Sequence, residues 1–414
     1  MRTTALRLVA AASLALAVTA CGGGGFEEKK DSGGPTSAEG KAELRVLIGS
    51  SGDAETNAVN AAVDAWEEES GNTAVVTNSA DLTTDLSKTF ASNDPYDVMY
   101  IDAGRFATYA DTGALYPYGD DYENVDDIYQ TLRDTFTYDG DFYCAPKDFS
   151  TLALVINDTM WAEAGLTEAD YPKTWDDLAA VAGKLTKGDR PGLVTAPSRD
   201  RLGAFMLEAG GWIVNEDATE AIADSAENAE ALGYVQELLN AGSLAFFADV
   251  DAGWGGEAFG KQSTAMTIEG NWVKGAMSAD FPDVDYTVVE LPEGPAGQGT
   301  MLFSTCWGVA AKSDAQEQAI DLIESLTSPE QQLANADAFG VMPALESVRE
   351  DYAAKYPEDA AFIAGAEYGT GPVSLPDFEP VLADFDSELA GLAKGDPQAI
   401  LDALNKNASA ALSG

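Results

Sequence analysis

The side chains in this sequence that could do chemistry are carboxylates, hydroxyls and aromatic rings. No histidine occurs among its 414 residues. That removes Ser-His-Asp and Cys-His catalytic units and every histidine-containing zinc site, and the three cysteines do not resemble a metal cluster. The densest polar cluster lies within 142–157, where an aromatic pair and Pro146 lead to Lys147, Asp148, Ser150 and Thr151. The apolar run 152–156 that follows reads as a buried strand, so the polar cluster beside it belongs at a cleft. A second cluster spans 253–272, with Trp254 and Glu257 ahead of a short strand over 265–268, a turn at Gly270, and Trp272 opening a helix. Rings of this kind stack on flat ligands and carboxylates accept hydroxyl protons, which is the chemistry of recognition. The one hydrolytic unit left open is a pair of carboxylates, as in glycoside hydrolysis. With 70 acidic residues, however, proximity of some pair is guaranteed and decides nothing.

Those clusters need a scaffold, and the length exceeds what one core usually supports, so two lobes are expected. The formal charge of −47 argues against nucleic acid, anionic ligands and anionic membrane surfaces. A neutral or cationic small ligand remains. A strand over 43–49 carries Leu44, Val46 and Ile48 in alternation, and a helix over 54–69 places Val59, Ala62, Val63 and Trp66 on one face. Strand 72–77, helix 82–91 and strand 97–101 continue the alternation, implying a mainly parallel sheet with helices on its faces. Ligands bind such sheets at the carboxyl ends of strands, which nominates Asp53 and Asp102. Thr174 to Asp177 reads as a capping box, and so do Ser313 with Gln316 and the segment from Ser328 to Gln331. Strands are expected over 285–290 and, as one unbroken element, over 301–310.

The N-terminus has its own pattern. Arg2 and Arg7 precede a short apolar stretch over 8–17, the arrangement of an export signal. Val18-Thr19-Ala20-Cys21 resembles the bacterial lipobox, so 1–21 reads as a lipoprotein signal peptide with Cys21 as the site of lipid attachment. Residues 22–40 read as a flexible tether. The alternative is a secreted protein with an incidental cysteine.

Four blocks occur in order along the chain. They are Pro95-Tyr96-Asp97 through Gly113-Ala114-Leu115, Pro172-Lys173-Thr174-Trp175, Phe259-Gly260-Lys261 through Gly270-Asn271-Trp272, and Leu326 to Glu330 with Gly340 and Met342-Pro343. Together they resemble extracellular solute-binding protein family 1, the sugar-type substrate-binding lipoproteins of ABC importers that are maltose- and trehalose-binding-protein-like. The resemblance implies an α/β, two-lobe periplasmic-binding-protein-like fold, each lobe a mainly parallel sheet flanked by helices, joined by hinge strands. Lobe 1 would comprise 41–148 and 303–346, and lobe 2 would comprise 149–302 and 347–414. The segments around Ser150 and Ser304 would cross between lobes side by side, so Cys144 and Cys306 could be disulfide-bonded, the alternative being two buried thiols.

On that frame Trp272 would stack on a sugar ring, with Trp254 and Trp307 as further faces. Asp102, Asp148 and Glu257 would accept hydroxyl protons, and Arg105 would orient one of those carboxylates. Arg199 and Asp200 lie where a loop of relatives often reaches the ligand; an exposed ion pair is the alternative. Tyr368, in the glycine-rich loop 365–371, is a further candidate. Trp175 reads instead as packing at a helix start. The implied function is a receptor, not an enzyme. It would have no cofactor, would be monomeric, and would be exported and lipid-anchored to the outer face of the bacterial cytoplasmic membrane. Closing about a hinge, it would hand a neutral sugar or oligosaccharide to permease subunits. Acidity and many tryptophans leave a second reading open, an aromatic cage for a quaternary ammonium solute such as betaine.

Overall fold

The computed structural model of the chain describes residues 35–50, 52–92 and 95–413. The expected signal peptide, Cys21 and most of the tether lie outside the described residues. Two sheets organise the rest. In the first, the strand order is Thr73–Asn78, Glu43–Ile48, Val98–Asp102, Thr305–Val309, Cys144–Pro146. Only Thr305–Val309 runs antiparallel to its neighbours. The helix Asp53–Ser70 buries Val59, Ala62, Val63 and Trp66, as the spacing predicts, and ends where Gly71 takes a left-handed φ of 73°.

The second sheet is ordered Gly369–Thr370, Thr300–Phe303, Ser150–Asn157, Met266–Gly270, Leu193–Thr195, Leu244–Phe246, with Tyr286–Val289 also pairing to Ser150–Asn157. Here too a single strand, Ser150–Asn157, opposes the others. The reversed strand of each sheet is thus one that follows a direct step from the other sheet. The chain crosses directly through 147–149 and at Ser304, and a third time, by way of helices, on its return to Gly369–Thr370.

That second crossing breaks the strand expected over 301–310. Phe303 pairs with Ser150 in the second sheet and Thr305 with Asp102 in the first. Between them Ser304 leaves both ladders, its hydroxyl donating to the Asp148 carbonyl at 2.7 Å. Lys147 N–H donates to the Thr305 carbonyl at 2.9 Å, so the two direct crossings lie against each other. Cys144 and Cys306 are disulfide-bonded, with their Cα atoms 5.4 Å apart, and both are fully buried.

All eight residues of Ser150–Asn157 are buried. Ala153 and Val155 belong to a core continuous with that of the first lobe, whereas Leu152, Leu154 and Ile156 belong to the second lobe's own core. The C-terminal region follows the same division. Phe362, Ile363 and Ala366 join the first of these cores, with Thr151 Oγ1 donating to the Phe362 carbonyl at 2.7 Å. Phe378, Leu382, Phe385, Leu389 and Leu401 join the second.

The capping box at Thr174 and Asp177 is present, and Ser328 caps the helix Pro329–Phe339. The one expected at Ser313 is not. Its hydroxyl donates to Asp97 at 2.6 Å, and the helix Gln316–Leu326 starts at Ala315 without a side-chain cap.

Candidate ligand-binding cleft

A cavity of about 440 Å³ opens where the two sheets meet, lined by residues of both lobes that include Tyr100, Asp102, Arg105, Arg199, Asp200, Phe303 and Glu379. Each arrives by a definite local route. Asp102 is the last residue of Val98–Asp102 and caps the helix Ala103–Asp111, its Oδ1 accepting the Gly104 N–H at 2.9 Å. Arg105 follows one turn later and meets Glu379 Oε2 at 3.3 Å. Arg199 and Asp200 open the helix Arg199–Glu208 just beyond the strand Leu193–Thr195. The Arg199 guanidinium pairs with Asp386 and lies 3.8 Å from Asp200 Oδ1.

Solvent reaches Asp102, yet the cleft walls crowd it, and that desolvation raises its carboxyl above the ordinary range. The Gly104 N–H counters the shift, while the charge of Asp200 from the facing lobe adds to it. Two acceptor groups, one per lobe, therefore face a common space.

Trp272 flanks this space through Phe303. It is 37% exposed, an uncommon state for an indole here. Its ring meets Phe303 edge-on at 5.4 Å, and the Arg201 guanidinium lies 5.1 Å from its centroid. Its Nε1 donates to Glu269 Oε2 at 3.0 Å.

The structure does not bring the other nominated residues into the cavity, and each has a physical reason. Asp148 is buried and ion-paired to Lys147, which also reaches Glu55 at 3.1 Å, while Tyr100 OH donates to Glu55 at 3.0 Å. Burial raises the Asp148 carboxyl despite the pull of Lys147. It is a buried partner of that lysine, not an open acceptor. Trp307 is 2% exposed and packs edge-on against Tyr100, so it is core. Glu257 binds its own neighbours, Lys261 at 2.5 Å and the Gly253 N–H at 2.6 Å, and the Lys261 contact lowers its carboxyl. Half-buried Trp254 precedes the helix Gly255–Gly260 and folds its ring over Gly256. Asp53 sits exposed in the first turn of its helix, and Tyr368 donates to Glu290 at 2.9 Å.

Reasoning from sequence missed Phe303, Glu379 and the pair Arg201–Glu269. Glu269 lies inside the block that nominated Trp272. Nothing local marks Glu379, which reaches Arg105 from 274 residues downstream. Among the described residues no cluster of acids and cysteines is placed to hold a metal ion, and no helix is long and apolar enough to cross a membrane.

Comparison with known proteins fits this architecture. The chain is 25% identical over 407 residues to the diacetylchitobiose binding protein DasA of Streptomyces coelicolor, covering 93% of this chain and 92% of that one. The crystal structure of a cyclic alpha-maltosyl-1,6-maltose binding protein from Arthrobacter globiformis superposes with a TM-score of 0.81 at 24% identity, over 91% of this chain and all of the other. An ABC substrate-binding protein from Listeria monocytogenes in complex with cycloalternan superposes at 0.78, with 23% identity over 90% of this chain and all of the other. At these identities the two structures speak for the fold. The family is carried by residues 61–364, which match the model described as bacterial extracellular solute-binding protein. With two sheets exchanging one strand each around a polar, aromatic-edged cleft, the chain belongs to the bacterial extracellular solute-binding protein family.

Proposed function

We propose that this chain is the receptor of an ABC importer for a neutral sugar or oligosaccharide, binding its ligand without turnover and delivering it to a membrane permease. The observation that carries the reading is the cleft itself. The solvent-facing indole of Trp272 stands beside Phe303, and two carboxylates, Asp102 and Asp200, come from opposite lobes. A ring with apolar C–H faces stacks on the first pair, and its hydroxyls donate to the second. Such a ligand makes contacts available only when the lobes approach, so it shifts the population toward the closed form that a permease recognises. The relative named for binding diacetylchitobiose, the neighbour in complex with cycloalternan and the neighbour named for binding cyclic alpha-maltosyl-1,6-maltose support a carbohydrate. Export, with a lipid on Cys21, would place the receptor on the outer face of the membrane.

Thermal unfolding of the exported chain tests the proposal, against diacetylchitobiose, maltotetraose, common mono- and disaccharides, and betaine. A ligand at about a hundred times its dissociation constant adds roughly 2.7 kcal/mol to stability. A selective rise with one carbohydrate is expected, with no product released. A rise with betaine alone would replace the sugar reading by an aromatic cage, and cleavage of the sugar would sink the receptor reading.

A further inference from the structure

We infer that Glu269 is a positioning residue of the ligand site: its buried carboxylate fixes the plane of the Trp272 indole and seats Arg201 against that ring. The inference rests on the reading of Trp272 as a ligand contact. Glu269 is 1% exposed, on the strand Met266–Gly270. A single oxygen, Oε2, accepts two donors, Trp272 Nε1 at 3.0 Å and Arg201 Nη2 at 2.7 Å. The guanidinium then lies 5.1 Å from the Trp272 centroid and 5.8 Å from that of Phe303. Carboxylate, guanidinium and two rings form one closed unit at the cleft edge.

The backbone around this unit is built to admit it. A Cβ on Gly255 would stand 2.5 Å from Glu269 Oε1 and 2.7 Å from Thr267 Oγ1, and one on Gly270 would stand 2.2 Å from the Trp272 ring. Both glycines are therefore needed for the carboxylate and the indole to lie where they do. A buried carboxylate is costly unless paired, and an apolar residue on this strand would serve packing alone at less cost. What the carboxylate adds is direction. An indole at a helix start with one face in water has rotamers to choose among, and a hydrogen bond at its far tip removes that choice. A ring held in its bound orientation spares the ligand the cost of ordering it.

The test uses Glu269→Gln, Trp272→Phe and the double variant, each first checked for a cooperative unfolding transition. In the ligand-free protein the seven tryptophans give seven indole N–H resonances, and the one missing in Trp272→Phe identifies that ring. Glu269→Gln is expected to move this resonance and speed its exchange with solvent while the other six stay. An unmoved resonance overturns the inference, whatever any sugar does. If Glu269→Gln does not fold, Glu269→Asp, which keeps the charge but draws the carboxylate back from the Trp272 N–H by one methylene, takes the same readout with the same two outcomes. Affinity for diacetylchitobiose and maltotetraose then separates the inference from the reading beneath it. Glu269→Gln is expected to weaken binding about five- to ten-fold, by an ordering cost typical of one side chain. The double variant is expected to bind no worse than Trp272→Phe alone. Additive losses would mean that Glu269 does not act through Trp272, leaving the sugar reading intact. Undiminished binding by Trp272→Phe would remove Trp272 from the site, and the positioning role with it.

Discussion

The cluster beneath the hinge and the cleft above it use the same residue types to opposite ends. Under the hinge, Lys147 sits between Glu55 and Asp148, side-chain exposures are 13%, 3% and 11%, and Tyr100 donates to Glu55 Oε1, the oxygen that Lys147 also reaches. In the cleft, Arg105 and Glu379 are 38% and 32% exposed, and Asp102 keeps acceptor capacity beyond its helix-capping bond. A satisfied polar network in a dry place holds one geometry. A half-wet one with spare acceptors is ready for a partner. Tyr100 touches both, hydrogen-bonded to Glu55 below and lining the cavity above.

Removing the cation of the lower cluster should have the largest effect. Lys147→Met leaves two buried carboxylates without their ammonium, and a loss of about 3–5 kcal/mol is expected in denaturant unfolding. The loss should depend on pH with a definite sign. Burial already raises the Asp148 carboxyl above its ordinary 3.8, and Lys147 is what pulls it down. In the variant the folded-state value therefore rises further above the unfolded one, and the group destabilises only once ionised. The deficit should be smallest near pH 4 and grow through the carboxylate range toward neutrality. A deficit flat with pH would show that the carboxylates are not its source.

The Cys144–Cys306 bond stands beside the same cluster and closes a span of 162 residues. Replacing both cysteines by serine should cost about 2–5 kcal/mol, chiefly by freeing the unfolded chain. Ligand affinity should change little, because the bond ties strands of one sheet and not one lobe to the other. A large affinity change would blur the separation between framework and cleft.

Trp272→Ala should invert that pattern, weakening sugar binding about 10- to 100-fold as a contact hot spot while the unfolding midpoint barely moves. The smallest effect is expected for Arg105→Gln, whose half-exposed pair with Glu379 should contribute under about 1 kcal/mol to stability. A loss comparable to that of Lys147→Met would place Arg105 with the framework.

Asp102 and Asp148 show what could be read in advance. Both are carboxylates close to strands at the meeting of two sheets, and local pattern ranks them alike. Their fates differ because Glu55, from a helix start some 90 residues earlier, joins Lys147 and closes the cluster around Asp148. Contacts between distant segments leave no periodic trace. Strand alternation and buried helix faces do, which is why Glu43–Ile48 and Asp53–Ser70 lie close to where hydrophobic spacing puts them. The break at Ser304 was hidden for the opposite reason. Both halves of 301–310 are apolar and extended, and the change of sheet alters neither property. Trp272 was legible because one local block carries strand, turn and ring together, whereas Phe303 looked like any strand residue.

The disulfide also gives the covalent chain a particular shape. Everything from Ala145 to Thr305, hence nearly the whole second lobe except its C-terminal helices, is a loop closed on itself at the hinge. A protease that cuts an exposed turn within that loop severs the backbone without producing two molecules. The pieces would migrate as one chain until a reductant reached Cys144 and Cys306, which are fully buried while the fold stands. A single clip there therefore leaves one covalent molecule.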